Sequence, residues 1–280
     1  MELTPLIDGL DFGEGPRWHD SQLWYSDFFQ HSVYSVTSEG DRNTVVTIED
    51  QPSGLGWLPD GDLLIVAMKT RRLLRFDGQS TTLYADLSEL ATGYCNDMVV
   101  SNDGHAYVGN FGFDFTEGET PRATQLIHVD PAGRARRVGI DLEFPNGTVI
   151  SPDGSTLIVG ESMAGRYTAY DIEADGGLAR SRVWASIPGV VPDGCALNGD
   201  GAIWCADAGP GQAVCLVAEG GKILERIPTP QPTFACALGG EDRRTLFVLT
   251  APSSSEEQVA GKAAGAIFTT RVEVPGAGLP

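Results

Sequence analysis

Residues 144–161 contain the repeating unit that decides the fold, and they read FPNGTVISPDGSTLIVGE. A short apolar strand starts near Asn146, ends at the Pro152-Asp153-Gly154 turn, and is followed at once by a second apolar strand. Asp and Gly supply the tight geometry of a hairpin turn. The residues on either side are rich in β-branched types that favour strands. This stretch therefore predicts a β-hairpin.

The same unit recurs along the chain, so we treat it as an internal repeat. Comparable turns occur at His19-Asp20-Ser21, Pro59-Asp60-Gly61, Asn102-Asp103-Gly104, Gly199-Asp200-Gly201 and Gly240-Glu241-Asp242. A third strand follows in every unit, and a fourth follows in five of them. The units begin near Glu14, Gly54, Asn96, Asn146, Asp193 and Thr233, at spacings of 40, 42, 50, 47 and 40 residues. Six four-stranded units of this length predict an all-β, six-bladed β-propeller formed by residues 1–280 as one domain.

The two ends of the chain suggest how the ring closes. The sixth unit lacks a fourth strand, because Pro275-Gly276-Ala277-Gly278 cannot form one, and the segment Leu3–Ile7 belongs to no unit. We expect this N-terminal strand to pair into the last blade and so remove the open edges of the ring. A two-domain α/β fold is excluded, since no stretch keeps a helical period of 3.6 residues.

Charge and cysteine content restrict the function. The chain has 19 Lys and Arg against 38 Asp and Glu, a net charge of −19, which disfavours nucleic acids and anionic membranes as partners. No apolar run is long enough to span a bilayer, and the first residues do not resemble a signal peptide, so we expect a cytoplasmic protein. We also expect a monomer or a weak homo-oligomer. Five cysteines without a CxxC motif are expected to be reduced, buried thiols rather than zinc ligands.

Four polar residues mark a candidate site. The first strand of each propeller blade lies innermost, so the residues that start these strands surround one mouth of the central channel. Glu14, Asn96, Asn146 and Asp193 hold such positions in four blades. Two carboxylates and two amide oxygens suit a hard cation, with Ca²⁺ favoured and Zn²⁺, Mn²⁺ or Mg²⁺ as alternatives. Ordinary turn chemistry at strand starts is the competing interpretation.

At these residues the sequence resembles the senescence marker protein (regucalcin), gluconolactonase and luciferin-regenerating enzyme family. The resemblance covers nearly the whole chain, and its landmarks are Glu14-Gly15-Pro16-Arg17-Trp18, Asn96-Asp97, Phe144-Pro145-Asn146-Gly147 and Pro192-Asp193-Gly194. It implies a six-bladed propeller with one divalent cation in the channel and hydrolysis of lactones, often of sugar acids. By the same resemblance, Glu14, Asn146 and Asp193 match the metal ligands, Asp193 also matches the general base, and Asn96 matches a residue that contacts substrate or metal-bound water.

Two departures from the family pattern concern the substrate. Sugar-lactone members usually carry Arg at the position of Tyr94, and a phenol cannot replace the guanidinium fork that holds substrate hydroxyls. The loop that starts Phe111-Gly112-Phe113-Asp114-Phe115 is expected to lie over the same mouth, with Phe111, Phe113 and Asp114 as candidate substrate contacts. Simple packing of Phe111 and Phe113 within a long loop is the competing interpretation. If they face the channel, both features predict a substrate less polar than gluconolactone. A second loop, residues 251–265, is expected to be a mobile segment that could gate the mouth.

The chemistry expected at this mouth is hydrolysis of a lactone by water that the cation activates, with a carboxylate that accepts the proton. Asp193 could act as this base or attack as a nucleophile. A phosphotriesterase-like hydrolase is the alternative enzyme, and a calcium-binding or scaffold propeller is the alternative outside enzymes. A Ser-His-Asp triad is not supported, because no histidine is expected at the mouth.

Overall fold

The described residues of the computed structural model, 1–114 and 117–279, form six four-stranded antiparallel sheets arranged as the blades of a propeller. The predicted six-bladed fold is therefore confirmed. The innermost strands of blades 1 to 6 are β2 (Gly13–His19), β6 (Pro52–Trp57), β10 (Cys95–Val100), β14 (Pro145–Ile150), β18 (Pro192–Leu197) and β22 (Thr233–Gly239). The second strands are β3 (Gln22–Asp27), β7 (Leu63–Ala67), β11 (Ala106–Asn110), β15 (Thr156–Glu161), β19 (Ile203–Asp207) and β23 (Thr245–Thr250).

The outer half of each blade is more exposed than the inner half. The third strands are β4 (Ser32–Val36), β8 (Arg72–Phe76), β12 (Thr124–Val129), β16 (Arg166–Ile172), β20 (Ala213–Val217) and β24 (Gly265–Arg271). The outermost strands of the first five blades are β5 (Arg42–Thr47), β9 (Thr81–Asp86), β13 (Ala135–Leu142), β17 (Leu178–Ser186) and β21 (Ile223–Pro228). A short helix, α1 (Glu256–Val259), lies between β23 and β24.

The ring closes through β1 (Thr4–Leu10), the outermost strand of the sixth blade. It pairs antiparallel with β24, from Thr4 opposite Thr269 to Leu10 opposite Gly265. The predicted closure is confirmed, although β1 extends three residues beyond the expected end at Ile7. Because β1 precedes the first blade and pairs with the last, it holds the two ends of the ring together.

The C-terminal tail adds a second connection, at the end of the channel opposite the mouth. It adds no strand to any blade, as predicted, but it crosses the ends of three innermost strands. The Gly276 amide donates to the Arg243 carbonyl, and the Ala277 amide donates to the Leu197 carbonyl at 2.9 Å. Leu279 and Ile150 exchange two backbone hydrogen bonds of 3.0 and 2.7 Å. The tail thereby links blades 6, 5 and 4.

The core fills the spaces between neighbouring blades, and it includes the cysteines. All five cysteines are buried and none forms a disulfide, as predicted. Burial raises the pKa of the Cys95 and Cys195 thiols to about 12, so both stay protonated at neutral pH. No helix in residues 1–114 and 117–279 is long and apolar enough to cross a membrane.

Candidate functional site at the channel mouth

The predicted site residues lie in bulges at the starts of the innermost strands. The register shifts between Glu14 and Arg17 in β2 and between Cys95 and Met98 in β10, and the same irregularity occurs in β14 and β18. A bulge re-aims the side chains of a strand, and bulges are common beside active sites. Glu14, Asn96, Asn146 and Asp193 stand at these irregular positions and are 6–8% exposed.

Glycines after the site residues allow the innermost strands to approach one another. A Cβ on Gly147 would lie 2.3 Å from the Asp193 carbonyl oxygen, and a Cβ on Gly194 would lie 2.8 Å from the Ala235 Cα. Side chains do not fit at such distances, so the Asn-Gly and Asp-Gly pairs are a packing requirement of the narrow channel. The close approach also brings the carboxylate and amide groups of neighbouring blades together.

The site brings the buried carboxyl groups of Glu14, Asp97 and Asp193 close together. Burial raises the pKa of Glu14 well above its usual value, and the carboxylates of Asp193 and Asp97 raise it further. Burial, followed by the charge of Asp97, raises the pKa of Asp193 to about 8, while a hydrogen bond from Asn146 opposes the shift. Neighbouring buried carboxylates disfavour one another's ionised forms. A bound cation would remove this penalty.

A buried ion pair beside the site was not recognised from the sequence. Arg17 Nη2 donates to Asp97 Oδ1 at 2.6 Å, and Arg17 also donates to the carbonyl oxygens of Leu55 and Pro16 at 3.0 and 2.8 Å and to that of Met98. The guanidinium thus joins blades 1, 2 and 3 through the channel. The arginine in the Glu14-Gly15-Pro16-Arg17 motif was a possible signal, but only the folded channel shows its partner.

The charge and donor atoms of the site fit one divalent cation. When Glu14, Asp97 and Asp193 are all ionised, Arg17 offsets the charge of Asp97 and two negative charges remain for a cation to neutralise. Asn146 Nδ2 donates to Ser162 Oγ at 3.2 Å as well as to Asp193, so its Oδ1 is the atom left for a cation. Within the described residues no group of three or more His, Cys, Asp or Glu side chains could hold a metal ion. The candidate centre therefore depends on two carboxylates and amide oxygens, a donor set suited to a hard cation.

Aromatic side chains surround the mouth above these polar groups. Phe12, Tyr94 and Phe144 each stand two residues before a channel residue, namely Glu14, Asn96 and Asn146. They belong to one apolar cluster with side chains from all six blades. We call its aromatic members the aromatic collar, and they are Phe12, Phe28, Phe29, Tyr94, Phe111, Phe144 and Phe234. The spacing of aromatics before channel residues could have revealed this collar from the sequence.

The two phenylalanines expected over the mouth are buried, Phe111 as a member of the aromatic collar and Phe113 against it. Phe111 is 6% exposed, and its ring stacks on Phe144 at 4.5 Å between centroids with an interplanar angle of 12°. Phe113 is 3% exposed, and its ring centroid lies 6.1 Å from that of Phe144. Half-buried Tyr94 lies 6.4 Å from the ring of Phe111. Tyr94, Phe111 and Phe144 therefore line one side of the mouth, with Phe113 behind them.

The remaining candidates on this face have structural partners. The Asp114 carboxylate accepts the amide of Glu117 at 3.2 Å within its own loop, and Phe115 lies outside the described residues. Buried acids that end the second strands, Asp27 and Asp207, accept backbone amides of nearby loops. Glu161 accepts bonds from Arg166 and Thr168. These acids support the loops around the mouth.

The segment 251–265 is more tightly held than the sequence suggested. It contains α1, and Val259 at the end of this helix is buried against the aromatic collar. The Asp11 carboxylate accepts the amides of Gly261 and Ala263 at 2.7 and 2.8 Å. These contacts attach the segment to the first blade, beside Phe12.

The histidines that the sequence set aside lie away from the mouth. His19 ends β2 at the opposite face and stacks on Trp57 at 3.9 Å. His128, in the third strand of blade 3, contacts His105 at 2.7 Å between ring nitrogens. A cavity of about 690 Å³ also opens at that opposite face, lined by the turns of blades 3 and 4 and by the C-terminal tail. None of the predicted site residues lines that cavity.

Phe144 has an unusual backbone conformation. Its φ is +62°, in the left-handed region that large side chains avoid. Its carbonyl oxygen accepts the Ser162 amide at 3.1 Å, and the preceding Glu143 amide donates to Glu161 at 2.9 Å. Such strain costs on the order of 1–3 kcal/mol and persists only where surrounding contacts enforce it. The contacts around Ser162 and Glu161 enforce it here.

Comparison with known proteins assigns the family. The model of the SMP-30/gluconolactonase/LRE-like region matches residues 12–252, which include Glu14, Asn96, Asn146 and Asp193. The chain belongs to this family. The match ends before the C-terminal tail, so the link that the tail makes across three blades lies outside the family region.

Individual relatives agree with this assignment. The chain is 27% identical to a 6-deoxy-6-sulfogluconolactonase from Pseudomonas putida, over 96% of this chain and 94% of the relative. The structure of a luciferin-regenerating enzyme superposes with a TM-score of 0.82 at 19% identity, covering 99% of this chain and 98% of that protein. Regucalcin from Agrobacterium tumefaciens, described as a calcium-binding protein, gives 0.81 at 24% identity, covering 99% and 94%. The two structures support the fold of the family.

Proposed function

We propose that this family member is a divalent-cation-dependent lactone hydrolase that acts at the channel mouth. The observation that carries the proposal is the buried pair of carboxylates, Glu14 and Asp193, beside the amide of Asn146. The charges described above leave two negative charges after Arg17 has paired with Asp97. The name of the relative from Pseudomonas putida, a 6-deoxy-6-sulfogluconolactonase, supports the reaction type.

Glu14, Asn146 and Asp193 are the residues that would hold the cation, and their oxygen-only donor set favours Ca²⁺. Bound there, the cation would polarise the lactone carbonyl and acidify water. Asn146 is oriented for this role by Ser162, which also donates to the Pro192 carbonyl at 2.7 Å and so couples blades 4 and 5.

In the proposed reaction Asp193 acts as the general base. Water attacks the carbonyl carbon while Asp193 accepts a proton from it. The ring C–O bond then breaks, and the proton passes to the departing ring oxygen, which becomes the hydroxyl of the hydroxy-acid product. In this proposal Asn96, buried at the equivalent position of blade 3, would hold a polar group of the substrate.

The substrate we propose is less polar than gluconolactone. Tyr94 replaces the arginine expected in sugar-lactone members, and the mouth is lined by aromatic rings. Arg166, at the start of β16, is already held by the buried carboxylate of Glu161. A sugar acid or its sulfonate would lack the guanidinium fork that Tyr94 does not supply. This chain therefore differs in the expected substrate from the relative named as a sulfogluconolactonase.

A panel assay tests the reaction type. Ester cleavage is followed by a pH indicator with EDTA-treated protein, first alone and then with each divalent cation restored. The panel contains gluconolactone, δ-valerolactone, dihydrocoumarin and a phosphotriester. We expect cation-dependent turnover of the less polar lactones. Preference for the phosphotriester would replace the proposal with the alternative hydrolase. Bound calcium without turnover would favour a calcium-binding protein.

Ionisation of the two site carboxylates should lower the stability of the cation-free protein as the pH rises from about 4 to 8. The folded pKa of Asp193 is about 8 and that of Glu14 is also raised, so between their unfolded and folded pKa values these groups bind fewer protons in the unfolded chain. Their contribution to the free energy of unfolding therefore falls by several kcal/mol across this window, while His128, whose pKa burial lowers to about 4, opposes the fall below about pH 6.5. Asp153 and Asp242, with pKa values of about 2, titrate below it.

Urea unfolding in EDTA at several pH values measures this effect. Burial also raises the pKa of Asp27, which therefore contributes in the same direction. Because Asp27 is present in both proteins, comparison with the Asp193→Asn variant isolates the contribution of Asp193. We expect the variant to lose less stability over the window than the unsubstituted protein. Equal pH dependence of the two proteins would contradict the electrostatic description of the site.

A further inference from the structure

We propose that Phe144 determines specificity by selecting lactones that carry an aromatic group next to the lactone ring. This inference rests on the proposed lactone hydrolysis and names the substrate class for it. It starts from the strained backbone of a large aromatic residue, φ +62°, directly before the Pro145-Asn146 pair. Strained residues concentrate at functional sites, where surrounding contacts hold a side chain in a required place.

Ser162 connects the position of Phe144 to the candidate metal centre. The Ser162 amide donates to the Phe144 carbonyl at 3.1 Å, and the Ser162 hydroxyl accepts a hydrogen bond from Asn146 Nδ2 at 3.2 Å. One residue therefore fixes both the backbone that carries the ring and the amide that faces the cation. The position of Phe144 relative to Asn146 is therefore held by bonds to the residue that follows β15.

The ring of Phe144 is supported on one side and partly open. Phe111 covers one face at 4.5 Å, and Phe113 approaches at 6.1 Å with an interplanar angle of 59°. Phe144 itself is half-buried, in contrast to the buried Phe111 and Phe113. A supported ring with exposed surface at a pocket mouth offers an offset-stacked or edge-to-face contact to another aromatic ring. Aliphatic lactones make less use of such a surface.

The test compares two six-membered lactones that differ by a fused benzene ring, dihydrocoumarin and δ-valerolactone. The Phe144→Gly variant removes the ring, and glycine adopts the positive φ without strain. We expect the ratio of kcat/KM for dihydrocoumarin to that for δ-valerolactone to fall about 10-fold, through lost stacking and apolar contact. The δ-valerolactone value is the internal reference, so a loss that both lactones share leaves the ratio unchanged and does not count as evidence for stacking on Phe144.

Two controls make the result decisive. Phe144→Tyr retains the ring and should retain the ratio. Asparagine also tolerates positive φ, so Phe144→Asn replaces Phe144→Gly if the glycine variant does not fold. A ratio that stays unchanged when the ring is removed would overturn the role of Phe144 while leaving lactone hydrolysis intact. Absence of turnover of both lactones by the unsubstituted protein would instead overturn the proposed function, and this inference with it.

Discussion

Asp193→Asn is expected to lower lactone turnover by about 10²–10⁴-fold at saturating Ca²⁺, because it removes the base that accepts the proton from water. The same variant should be more stable than the unsubstituted protein in EDTA at neutral pH. Burial and the nearby carboxylates force Asp193 to hold a proton far above its usual pKa, and a neutral amide avoids this cost. Kinetics with excess Ca²⁺ and urea unfolding in EDTA measure the two effects.

Asp207→Asn is the matched control, since Asp207 is a buried acid of the same blade. It ends β19 and accepts the amides of Val191 and Gly209 through Oδ1, an oxygen that asparagine retains. We expect its turnover to stay within about 3-fold of the unsubstituted protein, as for other buried residues that do not touch substrate. Undiminished turnover by Asp193→Asn, with folding intact, would remove Asp193 from the mechanism.

Arg17→Met is expected to cost about 3–5 kcal/mol of stability, the largest stability effect that we predict. Removing one partner of a buried ion pair leaves the other charge without compensation, here Asp97 in the channel. Three carbonyl oxygens, those of Pro16, Leu55 and Met98, also lose their donor. Urea unfolding at pH 7 measures the change.

A double-mutant cycle separates the charge from the packing. Asp97→Asn together with Arg17→Met should cost less than the sum of the two single changes, because no uncompensated charge remains. Arg75→Met serves as the exposed control: Arg75 contacts Asp60 and Asp62 but its side chain is 37% exposed, so its loss should cost no more than about 1 kcal/mol. Equal costs for Arg17→Met and Arg75→Met would contradict the structural role of the buried pair.

The architecture could be predicted from the sequence because the local signals repeat. Each Asp-Gly type turn fixes one hairpin, and six of them at spacings of 40 to 50 residues leave a propeller as the consistent arrangement. Closure by β1 followed from a missing fourth strand at one end and an unassigned strand at the other. The repeat also predicted that the four channel residues stand at the starts of innermost strands, and the structure has a bulge at each of these positions.

What the sequence did not reveal depends on contacts between blades. The partner of Arg17 is 80 positions away, and hydrogen-bond geometry of that kind has no local pattern. Phe12, Phe144 and Phe234 join the aromatic collar only when the blades meet around the mouth. The sequence correctly predicted that the Pro- and Gly-rich tail forms no blade strand. It could not predict the backbone hydrogen bonds of the tail to Leu197 and Ile150, because these form only in the closed ring.

Titration of Ca²⁺ into cation-free protein tests the central claim most directly, with heat of binding and δ-valerolactone turnover measured on the same samples. We predict that one equivalent of Ca²⁺ binds and that turnover rises in parallel with occupancy. Glu14→Gln should weaken both together, because it removes one of the two carboxylates proposed to hold the cation. Full turnover in the cation-free protein, or turnover that does not follow occupancy, would contradict the account.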